Sequence, residues 1–150
     1  MEDNHAFDAL VRKEIYEMCF QKGRPPLVEE LTVTAKSTRK EIEASLARLA
    51  AGRVVVLQRE STEILMAGPF SAVPTSFQVE TKAFASYANC IWDALGIPAM
   101  LSSSARIRTS CGDCGTSLEI MVSEGKLSGD SGVLHFAVPA RHWWDDIVFT

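Results

Sequence analysis

The sequence predicts an α+β fold in two parts. A winged helix-turn-helix-like helical module occupies residues 1–67, and a mostly antiparallel sheet with a Cys-x-x-Asp helix occupies residues 68–150. Three observations predict it. Apolar residues recur at helical spacing through the first third of the chain. Short alternating runs separated by turn residues fill the last third. Between them lies "AGPFSAVPTS", Ala67–Ser76, rich in Gly, Pro and Ser, which reads as a boundary.

The elements follow in order. Phe7, Leu10, Val11, Ile15, Met18 and Cys19 share one helical face, and Gly23 followed by Arg24-Pro25-Pro26 stops that helix. "PPLVEELT" predicts a short second helix with Pro26 near its first turn. Thr38 and Glu41 have capping-box spacing and open a third helix carrying Ile42, Leu46 and Leu49, closed by Gly52. "RVVVLQ" and "EILMAG" predict a hairpin. Beyond the boundary, "YANCIWDALGIPAML" predicts a helix holding Cys90 and ended by Gly96 and Pro98. "ARIRTSC" and "SLEIMVS" predict strands joined by the tight turn "CGDCG". "EGKLSGDSG" predicts a loop, and "VLHFAVP" a third strand before "RHWWDD".

Composition narrows the function. The net charge is −4, and residues 1–67 hold ten Lys/Arg against eleven Asp/Glu, which argues against a phosphate-binding surface. Lys36, Arg39 and Lys40 make a small basic cluster, but Glu41 and Glu43 follow directly. No apolar run is long enough to span a bilayer, and "MEDNHAFDAL" lacks a signal-like pattern. The expected location is therefore the cytoplasm, where four cysteines stay reduced and metal or catalytic roles outrank disulfides.

Three constellations carry chemistry. Cys111 and Cys114 in "CGDCG" read as a turn with two buried thiols, as half a zinc site, or as a redox pair. Asp145 and Asp146 beside Trp143 and Trp144 offer acid/base chemistry or a hard-metal site, but suit a capping or loop role better, with Trp143 or Trp144 filling core. His135 reads as a core histidine, and His5 and His142 have no constellation. The third is the pair Cys90 and Asp93. Three residues apart on a helix, they share a face. A buried carboxyl is costly as an anion and keeps its proton more readily, so the pair sets a soft nucleophile or metal ligand beside an acid.

Together "PFSAVPTSFQV", "YANCIWDALGIPAML", "SCGDCG" and "HFAVPARHWWDDIVFT" resemble the alkylmercury (organomercurial) lyase family, and the helical half is similar to that family's N-terminal region. The resemblance implies protonolysis of a carbon–mercury bond to a hydrocarbon and Hg(II), as in mercury resistance. It implies Cys90 as mercury ligand and Asp93 as proton relay. No resident cofactor is needed; a small organomercurial is the substrate, excess small thiol a co-reactant, and a mercuric reductase the downstream partner. Trp92 and Met100 would wall in the organic group. The family's second mercury-binding cysteine is due after "WWDDIVFT", about where these 150 residues stop.

Two other readings stand beside this one. A metal- or thiol-responsive winged-helix regulator rests on the N-terminal pattern. A structural zinc protein rests on Cys111 and Cys114.

Overall fold

The fold is seen in a computed structural model that describes residues 2–148, with side chains from residue 4 onward. Phe149 and Thr150, the last two residues of the quoted "WWDDIVFT" stretch, lie outside the described residues.

Helix α1 spans Glu2–Lys22 and turns Val11, Ile15, Met18 and Cys19 into the core. It stops at Gly23, whose N–H donates to the Cys19 carbonyl at 2.8 Å. Gly23 has φ +72°, and a Cβ there would stand 2.6 Å from both the Ala85 carbonyl oxygen and Phe84 Cδ2. Only glycine lets the helix end approach the sheet this closely. Helix α2, Val28–Thr34, has Leu27 as its N-cap, so Pro26 lies just before the first turn. Helix α3, Arg39–Ala51, begins with the expected capping box. Thr38 Oγ1 accepts from the Glu41 N–H at 3.3 Å, and the Thr38 N–H donates to Glu41 Oε2 at 2.8 Å. Ser45, fully buried on α3, donates to Asp8 of α1 at 2.6 Å and ties the two helices.

Strands β1 (Val56–Leu57) and β2 (Ile64–Ala67) form the hairpin that follows the helices. β1 is shorter than "RVVVLQ" implies, because Val55 leaves the ladder to fill the core. The sheet then continues through the expected boundary. β3 (Phe70–Ser71), β4 (Gln78–Thr81) and β5 (Ala85–Ala88) precede α4 (Ile91–Leu101). After it come β6 (Ala105–Ser110), β7 (Ser117–Ser123) and β8 (Lys126–Gly129). The order is β1-β2-β3-β5-β4-β6-β7-β8, and every neighbouring pair is antiparallel. Phe70, Val79, Ala88, Ala94, Ile97, Ile107 and Val122 join the helical residues in one continuous core. Each fully buried Ile or Val in it contributes roughly 1.5–3 kcal/mol.

Four expectations are corrected. Helix α4 does not end at Gly96 or Pro98 but runs to Leu101; Pro98 is itself buried, and its packing outweighs the hydrogen bond it cannot make. "EGKLSGDSG" is not all loop. Glu124 and Gly125 both have positive φ, as a two-residue hairpin turn requires, and β8 follows. "VLHFAVP" is not a strand but an irregular, exposed segment in which Val133 is 92% accessible. His135 is exposed there rather than buried. Its apolar run lacks the period-2 pattern that marks a half-buried strand. Lastly, "RHWWDD" forms a 3-10 turn, Ala140–Asp145, in which Asp145 closes the end instead of capping the start. It meets His142 at 2.9 Å, so that histidine has a partner.

Candidate active site

Cys90 does not lie inside α4. It is the N-cap residue, in extended conformation at φ −151°, ψ 179°. Its sulfur accepts from the Asp93 N–H at 3.4 Å, and its carbonyl accepts from the Ala94 N–H at 2.9 Å. Sequence reading runs the helix through Cys90 because cysteine is not among the usual capping residues. The spacing of three still brings the two groups together: Asp93 is the third helical residue, one turn above its cap.

Burial sets the character of both groups. Desolvation raises the Cys90 thiol above its ordinary value, and the neighbouring Asp93 charge adds to the rise. The N–H groups of Asp93 and Trp92 pull the other way. Desolvation likewise raises the Asp93 carboxyl, opposed by one hydrogen bond from Asn89. Burial thus shifts both groups of the half-buried pair towards their proton-bearing forms.

Asn89 is a site residue that sequence reading misses. Its Nδ2 faces three acceptors: Asp93 Oδ2 at 3.0 Å, the Pro69 carbonyl at 3.1 Å and, longer, the Phe70 carbonyl at 3.5 Å. The amide therefore fixes the carboxyl to the chain segment that enters β3. Its Oδ1 is buried without a hydrogen-bond partner among the described residues. Tyr16 of α1 also stands in electrostatic reach; burial raises its phenol, and the Asp93 charge contributes. The Asn89 bonds to the Pro69 and Phe70 carbonyls and the reach of Tyr16 to Asp93 join segments far apart in the chain, so neither is visible in sequence.

Trp92, two residues past Cys90, is 59% exposed and meets Phe136 edge to face at 6.4 Å. Phe136 in turn packs on Trp143 at 5.2 Å, whose indole N–H donates to the Val138 carbonyl at 2.8 Å. The segment after β8 thus lies against the start of α4. Met100 sits seven residues beyond Asp93, roughly 10 Å along the helix axis, and is exposed. Trp144 is partly exposed beneath the Arg53 guanidinium, 5.6 Å from its ring centre.

Cys111 and Cys114 stand apart from Cys90, in the turn between β6 and β7. They are not the two buried thiols of one reading: Cys111 is half-buried and Cys114 exposed. Hydrogen bonds from Thr116 first, and then from Cys111, draw Cys114 down to about 7. Among the described residues no group of three or more His, Cys, Asp or Glu could hold a metal ion. Cys19 is fully buried, and desolvation pushes its thiol up to about 12, as suits a core residue. In the basic cluster of α3, the Arg39 guanidinium is engaged by Glu29 and by Glu43. No helix among the described residues is long and apolar enough to cross a membrane.

This fold and site define a class: an α+β protein presenting a thiol and a half-buried carboxyl together at a helix start, beside aromatic surface. A family model described as alkylmercury lyase matches residues 70–150, more than half of the sequence. The chain belongs to the alkylmercury lyase family. Among solved structures, it is similar to the crystal structure of the mercury-bound form of MerB2. The TM-score is 0.61 and the identity 19%, with 85% of this chain and 66% of that chain covered. The chain thus spans just under two thirds of that protein's length, and at this identity the likeness shows a shared fold. No curated protein matches the chain.

Proposed function

We propose that this protein cleaves carbon–mercury bonds by protonolysis, with Cys90 as mercury ligand and Asp93 as proton relay. The observation that carries the reading is the half-buried pair at the start of α4, a capping sulfur and a raised carboxyl held by Asn89.

The substrate, R–Hg–X, meets a thiol rather than a thiolate. As the Cys90 sulfur bonds to mercury its proton leaves, because a soft metal binds the thiolate far better than hydrogen does. X departs with a proton, leaving R–Hg–S. Asp93 then delivers a proton to the carbon. The electron pair of the C–Hg bond becomes the new C–H bond, and R–H departs. Sulfur ligation helps by pushing electron density towards that carbon. A small thiol supplies the second sulfur and carries Hg(II) away. Trp92 and Phe136 offer an apolar surface for the organic group. The chemistry suits a reducing compartment such as the cytoplasm, and its Hg(II) product suits consumption by a reductase.

Phenylmercury plus excess small thiol tests the reading, with benzene as readout. Wild-type protein should release benzene, and Cys90→Ser should not. Equal release from both would refute the proposal.

A further inference from the structure

Strand register brings a second thiol group to the same end of the sheet as Cys90. Tyr87 of β5 pairs with Gln78 of β4, and Gln78 pairs with Arg108 of β6. β5 and β6 therefore run in the same direction, separated by β4. β5 leads out through Asn89 to Cys90. β6 leads out through Ser110 to Cys111. Two inter-strand steps separate the strands, roughly 10 Å. That is too far for one metal ion to bond sulfurs directly above both strands, yet within reach of an ion passing between neighbouring thiols.

The turn itself carries two cysteines three residues apart. The Cys111 N–H donates to the Thr116 carbonyl at 2.9 Å, and the Gly115 N–H donates to the Cys111 carbonyl at 2.9 Å. Gly115 has φ +72°. The closed turn keeps both cysteines on one short connection between β6 and β7, and Cys111 is among the groups that lower the Cys114 thiol. Cys114 Sγ also contacts Thr116 Oγ1 at 3.2 Å. Cβ atoms added at Gly112 and Gly115 would meet nothing within 4 Å, so the turn is open to solvent.

The coordination number decides the class of ligand. A tetrahedral zinc site takes four ligands, and no third candidate stands with this pair among the described residues. A soft closed-shell cation such as Hg(II) is satisfied by two thiolates in line. We infer that Cys111 and Cys114 form a two-coordinate site for Hg(II), placed to receive the ion released at Cys90. Its cargo rests on the lyase reading; the binding site does not. Each Hg(II) bound displaces one proton from each thiol, with no change in oxidation state.

The test uses the full chain, reduced, with Cys90→Ser to empty the first site. Mercuric chloride is added with excess glutathione, the protein is desalted, and retained mercury is measured by mass spectrometry. Cys90→Ser should keep roughly one Hg(II) per chain, as two adjacent soft ligands imply. The Cys90→Ser/Cys111→Ser/Cys114→Ser chain should lose at least tenfold of that retention. Zn(II) in place of Hg(II) should not be retained. Circular dichroism checks that both variants fold. No retention by Cys90→Ser, retention unchanged by the turn substitutions, or equal retention of zinc would each overturn the inference. Benzene release by wild-type protein is scored separately, so a failed lyase reading leaves the binding result intact.

Discussion

Glu30 holds the junction of α1 and α2 by charge, which gives a pH-dependent prediction. Its carboxylate takes a two-pronged contact from Arg24 at 2.8 and 2.9 Å, one bond from Lys22 at 2.8 Å, and one from the Leu27 N–H at 2.9 Å. With Arg24 the largest cause, these hold Glu30 at about 2, against an ordinary 4.5. At about 1.4 kcal/mol per tenfold change in proton affinity, that fall amounts to roughly 3.4 kcal/mol in full. Glu30 is 23% exposed and its partners 43% and 45%, so solvent screening reduces it to about 2 kcal/mol. The folded carboxyl is the stronger acid, so the stabilisation is complete above about pH 4.5. It is lost as pH falls towards about 2. Urea unfolding of wild type and Glu30→Gln measures it. The gap should be about 2 kcal/mol at pH 7 and under about 1 kcal/mol at pH 3. A gap that is absent at pH 7, or equal at both pH values, would refute the reasoning.

Two further predictions follow from the site and its anchor. Asn89→Leu removes the donor that lowers Asp93, so the carboxyl rises further and the alkaline limb of the phenylmercury pH–rate profile moves to higher pH. An unmoved limb would show that Asn89 does not act on the proton-carrying group. Gly23→Ala drives a Cβ into the Ala85 carbonyl and forces a positive φ on alanine. It should cost more than about 1 kcal/mol of stability in thermal unfolding. A melting temperature equal to that of wild type would contradict the close approach of α1 to β5.

The helical half was legible because local rules decide it. Val11, Ile15 and Cys19 repeat at the helical period, and Thr38 and Glu41 satisfy each other within one turn. The strands β3 to β5 were not legible: they run two to four residues, too short for alternation to register. β3 also sits inside a Gly- and Pro-rich stretch that reads as linker. At the site, the spacing of Cys90 and Asp93 was enough to pair them, whether the first lies in the helix or caps it. Asn89 and Tyr16 needed the fold, since one binds carbonyls some twenty residues earlier and the other comes from α1.

The contact from Trp92 through Phe136 to Trp143 has an optical consequence. Two of the chain's three tryptophans lie on that path, and the first stands two residues from Cys90. A heavy atom bound to that sulfur would quench indole emission nearby. Departure of the segment after β8 would instead shift the emission colour as the ring becomes wetter. Loss of brightness and change of colour are separable in one spectrum, so occupancy of the thiol and movement of that segment can be followed without an added dye.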